Sequence, residues 1–295
     1  MRMTEGALVL EGGSLRGVFT AGVLDVLIEQ EVELSYVNGV SAGSMSGMSY
    51  VSKQSGRTIK VNLEYVRDKR FMSFQNMVKN RSIFNFDFLF GELSDTLVPF
   101  DYDTFYRSNQ IFEVVATRCK TGRPEYFEKS TSDDFISAVK ASSSIPVLSS
   151  MISVDGKKYL DGGCSIPVAY QRAIDLGYEK IVVVLTREKG YRKPLLDKWT
   201  KKGYERYFGP LPRLLKSLEE VPERYNRMQE EIDQLEAAGR IYVIRPDKHV
   251  TVQRTEQDKR KLEALYEDGR RLAEAQMDEL KQYLGIEEEG KEKTV

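Results

Sequence analysis

The sequence predicts an α/β fold with a largely parallel sheet. Three observations carry this. Two strand–turn–helix units follow one another within residues 6–51. Ile181–Leu185 is a continuous apolar run, the pattern of a strand buried on both faces. After Thr186 the composition turns charged and helical, which adds a helical C-terminal extension to that domain.

Taken in order, Gly6-Ala7-Leu8-Val9-Leu10 reads as a short buried strand, and Glu11–Gly17 as a glycine-rich turn. Val18, Ala21, Leu24, Val26, Leu27 and Ile28 then mark an apolar helix ending near Gln30. Leu34–Asn38 is a second strand, followed by a sharp turn and a small-residue helix from Ala42 to Val51. Residues 57–110 are irregular, with aromatic segments at Phe71–Phe74 and Ile83–Phe90. Strands return at Phe112–Thr117 and Glu125–Glu128. Asp133-Asp134 caps a helix running to about Ala141. Ile152–Leu160 reads as a hairpin around Asp155-Gly156.

Leu214–Ala238 is one helix interrupted near Pro222, and Ile241–Ile244 is a late strand. Leu262, Leu265, Tyr266, Leu272, Leu280 and Leu284 recur at helical steps, which predicts a final amphipathic helix. No internal repeat or linker is visible. The expected organisation is one α/β domain over 1–250, a helical extension over 251–286 packed on it, and a disordered tail over 287–295.

Composition narrows the function. The chain has 295 residues, 44 Lys and Arg against 45 Asp and Glu, and a formal net charge of −1. Bulk charge therefore excludes a strongly basic nucleic-acid protein, and no nucleic-acid partner is expected. No apolar run approaches the ~18 residues of a membrane span. Ala7–Leu10 is too short for a signal-peptide core of roughly 7–15 residues, so a cytoplasmic protein is expected. One histidine, His249, removes histidine-cluster metal sites. The two cysteines, Cys119 and Cys164, make no disulfide framework.

Three motifs carry chemistry. Gly39-Val40-Ser41-Ala42-Gly43 has the G-x-S-x-G pattern of a nucleophile elbow. Such a turn exposes the serine hydroxyl at its tip, and the N–H groups opening the next helix face any negative charge forming there. An ordinary tight strand-to-helix turn reads the same way. Gly12-Gly13-Ser14-Leu15-Arg16-Gly17 offers backbone N–H groups for an oxyanion or a phosphate. It lacks the Gly-Lys-Ser/Thr of a P-loop and fits a dinucleotide fingerprint poorly. Asp161-Gly162-Gly163 is a turn or the position of a catalytic base. A serine nucleophile needs a base and an oxyanion site. With His249 in a charged loop, a dyad of Ser41 and Asp161 is the economical arrangement.

These blocks, with Ala141-Ser142-Ser143-Ser144-Ile145-Pro146 between the last two, resemble the patatin-like phospholipases. All four stand in the family's order, over about residues 6–190. The resemblance implies a three-layer α/β/α fold and lipid acyl-ester hydrolysis by a Ser–Asp dyad without a cofactor or a metal. Ser41 would be the nucleophile and Asp161 the base. Gly12, Gly13 and Ser14 would supply oxyanion N–H groups. Arg16, Gly17, Gly39, Gly43, Gly162 and Gly163 would support the turns. The chain departs from the family at Ser14, where a third glycine is usual. Serine keeps the N–H but costs more if the position needs positive φ.

The partner expected is a lipid or acyl-ester substrate, with transient peripheral contact at the inner membrane surface. Oligomeric state is left open. The two aromatic segments are either core or an acyl-chain groove or lid. Residues 186–216 carry ten Lys and Arg against three acids, with Trp199 and three tyrosines. That mixture suits an anionic membrane, a nucleic acid or a solvated helical face. Alternatives to the hydrolase are a thioesterase or acyltransferase using the same Ser41, a non-catalytic lipid-binding or regulatory protein of the same fold, and a nucleotide-binding module.

Overall fold

The computed structural model describes residues 3–286, the Asn80 side chain excepted. The expected tail at 287–295 lies outside the described residues. The described strands are β1 (Thr4–Leu10), β2 (Leu34–Val40), β3 (Ile111–Arg118), β4 (Arg123–Glu128), β5 (Ile152–Val154), β6 (Lys157–Asp161), β7 (Ile181–Val184) and β8 (Tyr242–Ile244). They form one sheet in the order β5-β6-β3-β2-β1-β7-β8, with β4 also paired to β3. The run β3-β2-β1-β7-β8 is parallel throughout. The β3-β4, β3-β6 and β5-β6 pairs are antiparallel.

Side-chain alternation along the central strands assigns the layers. Leu8, Leu10, Val182 and Val184 join a core with helix α1 (Val18–Glu29) and the helix Lys259–Ala275. Ala7, Val9, Ile181, Val183 and Leu185 join a second core with the helices Tyr170–Asp175 and Val221–Ala237. The sheet is thus covered on both faces, which is why Ala7–Leu10 and Ile181–Val184 are apolar at every position.

Several elements differ from the sequence reading. Residues 57–110 contain the helices Arg57–Tyr65, Phe74–Asn80 and Tyr102–Arg107, and a π-helical turn Leu89–Leu97 with a kink at Gly91. The predicted helix at 214–238 divides into Pro212–Glu219 and Val221–Ala237. Pro222 sits in the first turn of the second, where its missing N–H has no helical acceptor to lose. The last amphipathic helix also divides, into Lys259–Ala275 and Met277–Leu284.

Helix Lys259–Ala275 lies against α1 through two glycines. A Cβ on Gly22 would stand 2.2 Å from the Tyr266 carbonyl oxygen, and one on Gly269 would stand 2.2 Å from that of Phe19. Tyr266 Oη donates to Asp25 Oδ2 at 2.8 Å, and Arg270 clamps the Glu29 carboxylate. No helix among the described residues is long and apolar enough to cross a membrane.

Candidate active site

The site forms at a seam in the sheet. β4 covers Glu113–Arg118 along one edge of β3, so β2 and β6 share the other edge. β2 leaves that edge where Val40 faces Val115, and β6 takes over where Asp161 faces Ala116. Consecutive residues of β3 therefore bring the end of β2 beside the end of β6. Ser41 follows Val40 directly, and its Oγ donates to Asp161 Oδ2 at 2.7 Å.

The turn at Ser41 is sharp. Ser41 has φ 55° and ψ −121°, a strained conformation for a residue with a side chain, and helix α2 (Ala42–Val51) starts immediately after it. The turn closes because its flanks are glycines. A Cβ on Gly39 would lie 2.6 Å from Ser44 N, and one on Gly43 would lie 2.5 Å from the Leu10 carbonyl oxygen. The Ser41 carbonyl accepts from Ser44 N, Ser44 Oγ and Met45 N.

Residues 141–146 brace both partners. Ser142 Oγ accepts the Ser41 N–H at 2.9 Å, and the Ser144 carbonyl accepts the Asp161 N–H at 2.9 Å. Asp161 Oδ1 accepts from Gly163 N at 2.7 Å, and Thr117 Oγ1 donates to the Asp161 carbonyl at 2.9 Å. Both oxygens of the carboxylate are thus held. Gly162 crosses the seam, where a Cβ would lie 2.3 Å from the Val115 carbonyl oxygen. Burial pushes the Asp161 carboxyl above the usual aspartate range. The Ser41 and Gly163 hydrogen bonds, and the charges of Arg254 and Lys193, pull the other way.

The glycine-rich turn lies against the elbow. A Cβ on Gly12 would stand 3.1 Å from Ser41 Cβ, and one on Gly17 would stand 2.8 Å from Ala42 Cβ. Gly13 is pressed on Thr186. Ser14 does have positive φ, 52°, and its hydroxyl donates to the Arg254 carbonyl at 2.7 Å. The N–H groups of the turn are not equivalent. Gly12 N donates to the Pro167 carbonyl at 3.3 Å. Gly13 N, Ser14 N and Ala42 N have no backbone or side-chain acceptor among the described residues. Arg16 is largely buried, and its Nε has no partner.

Two cavities meet here, and Ser14, Ser41 and Ile145 line both. The first is narrow, about 90 Å³, and mostly apolar. Val61, Phe71, Phe84, Phe86 and Leu89 form its far wall. The aromatic segments therefore serve in part as core, through Met72, Ile83 and Phe88, and in part as cavity wall. The second is polar, about 420 Å³, and reaches Arg187, Lys193, Tyr225 and Arg254. His249 lies elsewhere: it is exposed, with Nδ1 2.7 Å from Glu188 Oε1.

The sequence reading quoted Glu11 and Ser142 within motif blocks and Lys193 within a basic stretch but gave none of them a site role, and it missed Arg254. Glu11 is buried and joins β1 to the loop after β7 by accepting from Thr186 N, while its other oxygen accepts from Tyr225 Oη. An acid directly after an apolar strand, at the head of the glycine-rich turn, was its sequence signal.

Comparison with known proteins follows the same lines. The family model described as patatin-like phospholipase matches residues 8–172. A domain of unknown function, DUF6363, matches residues 211–285. The chain is similar to the uncharacterized protein YjjU of Escherichia coli strain K12, with 31% identity over 250 residues, covering 82% of this chain and 68% of that protein. Among solved structures it is similar to VipD from Legionella pneumophila, with a TM-score of 0.44 and 12% identity, covering 94% of this chain and 67% of that one.

Proposed function

This chain belongs to the patatin-like phospholipase family, and on that premise we propose that it is a lipid acyl hydrolase working through an acyl-Ser41 intermediate. Its substrates are carboxylic esters of phospholipids or lysophospholipids. The observation that carries the reading is the 2.7 Å hydrogen bond from Ser41 Oγ to Asp161 Oδ2. It sits where an apolar and a polar cavity join.

Ser41 Oγ attacks the ester carbonyl carbon and its proton passes to Asp161. The carbonyl electron pair moves onto oxygen, held by N–H groups of Gly13, Ser14 and Ala42 near the N-terminus of α2. The carbon–oxygen bond to the alcohol breaks, and the alcohol leaves with the proton from Asp161. Water, deprotonated by Asp161, then attacks the acyl-serine and releases the fatty acid and Ser41. Gly12, whose N–H is spent on Pro167, supports the turn rather than the oxyanion. An ordinary aspartate is a weak base at neutral pH, so its burial and two-sided hydrogen bonding are what equip Asp161 for the task.

The acyl chain occupies the apolar cavity. The chain meets its lipid at a membrane surface. Leu195, Trp199 and Tyr207 are exposed among Lys198, Lys201, Lys202 and Arg206, and Leu195 also lines the polar cavity.

The test is labelling with a fluorophosphonate, the adduct being located by mass spectrometry. Ser41 is expected to be labelled in the wild type and in His249→Asn. Ser41→Ala should lose labelling and at least about 10³-fold of esterase activity. Absence of an adduct on folded protein, with and without liposomes, would leave a non-catalytic lipid-binding protein.

A further inference from the structure

The polar cavity beside Ser41 gathers four cations: Arg16, Arg187, Lys193 and Arg254. None of them pairs with a carboxylate among the described residues. Arg16 Nε is buried with no acceptor. Arg187 donates to the Val250 carbonyl and lies over the Tyr191 ring, 4.4 Å from its centroid. The Lys193 ammonium lies 4.4 Å from the Tyr225 ring centroid.

The carboxylates on the same cavity accept their hydrogen bonds from other groups, and Glu11 and Asp161 act on the cations only through space. Glu11 accepts from Thr186 and Tyr225. Asp161 accepts from Ser41 and Gly163. Asp197 accepts from the N–H groups of Trp199 and Thr200.

Holding these cations together is unfavourable without an anion. Arg16 is pushed down to about 10, by burial first and then by Arg187. Lys193 is pushed down to about 8, by burial first and then by Arg254. Unpaired cations in a partly desolvated cavity are a functional signal.

We propose that Arg16, Arg187, Lys193 and Arg254 form an anion-binding subsite that takes the phosphate of a lipid head group carrying no cation of its own. The two cavities meet at Ser41. A tail in the apolar one therefore places the alcohol side of the ester, which in a glycerophospholipid bears the phosphate, among the cations. A choline or ethanolamine head group would add a fifth positive charge there. A phosphate monoester such as that of lysophosphatidate would bring its negative charge to the four cations and to planar guanidinium donors. The orientation rests on the hydrolase reading above; the binding of phosphate does not.

The experiment separates the two. Full-length Ser41→Ala protein is titrated by calorimetry with inorganic phosphate, glycerol 3-phosphate, and lysophosphatidate, lysophosphatidylcholine and monoacylglycerol of one acyl chain. Lysophosphatidate is expected to bind at least about tenfold tighter than the other two lipids at pH 7, a gap of about 1.4 kcal/mol. The preference should weaken as pH rises past 8 and Lys193 loses its proton. It should collapse in Lys193→Ala/Arg254→Ala and return in part in Lys193→Arg/Arg254→Lys. Circular dichroism checks that each variant is folded. Equal binding of the three lipids, or a preference unchanged in the double alanine variant, would overturn the proposal. Binding of inorganic phosphate without lipid preference would also overturn it and assign the cluster to free phosphate. An intact preference in a protein without esterase activity would sink the hydrolase reading alone.

Discussion

On the mechanism proposed above, the demands of catalysis and of stability oppose each other at Asp161. Its carboxyl is buried and raised above the usual range, so above about pH 4 the folded chain holds a proton that the unfolded chain has released. Stability therefore falls as pH rises through the window that starts at the ordinary aspartate value and ends at the raised one. Once ionised, as the proposed base must be, the carboxylate destabilises the fold. Asp161→Asn keeps an acceptor for Gly163 N and removes the charge. It is expected to melt higher than the wild type at pH 7, with the gap closing towards pH 4, and to lose acyl-ester hydrolysis. Scanning calorimetry at both pH values, beside an esterase assay, checks this. A variant that melts lower at pH 7 would mean that the hydrogen bonds outweigh the burial of charge. Ser41 and Ser14 add strain of the same functional kind, both at positive φ without being glycine.

Among the elements, the contact between α1 and helix Lys259–Ala275 shows what a glycine does in a helix. Gly269 and Gly203 both lie in helices and look alike in sequence. A Cβ on Gly269 would collide with the Phe19 carbonyl oxygen, whereas one on Gly203 would meet nothing within 4 Å. The same substitution should therefore act with opposite signs. Gly269→Ala is expected to cost about 1–3 kcal/mol by forcing the helices apart. Gly203→Ala should gain about 0.5–1 kcal/mol by restricting the unfolded chain. Urea titration of both variants tests the pair, and a neutral Gly269→Ala would show that the two helices separate without cost. The strands were easier to read than these helices. β1 and β7 announce themselves as apolar runs, but no local pattern marks which glycine faces another helix.

On the whole molecule, the exposed aromatic and basic face lies at the rim of the polar cavity. Trp199 is the chain's only tryptophan and is 82% exposed, so it reports on this face alone. Adding vesicles rich in anionic lipid should shift its emission to the blue, and zwitterionic vesicles should not. Raising salt should reverse the shift, because the attraction is screened. No shift on anionic vesicles would make the face a solvated one. The C-terminal helices belong to the same body as the site. Leu262, Leu265, Leu272 and Leu280 sit in the principal core, and the Arg254 carbonyl accepts from Ser14 Oγ.

The sequence by itself determined the α/β class, most strands, the elbow at Ser41 and the aspartate at 161, because each is written in a few adjacent residues. Apolar runs, turn glycines and a serine between small neighbours are local signals. Only the tertiary structure decided which groups surround that pair. Ser142, Lys193 and Arg254 stand 101, 152 and 213 positions from Ser41 in the chain, and nothing in the sequence around them says that they meet it. They converge because β6 replaces β2 along β3 and because the C-terminal third folds back over the sheet. Charge pairing is settled in the same way. The balance of 44 basic and 45 acidic residues gave no hint that four cations would be left unpaired in one cavity. Composition counts charges, whereas pairing depends on which of them the fold brings within reach.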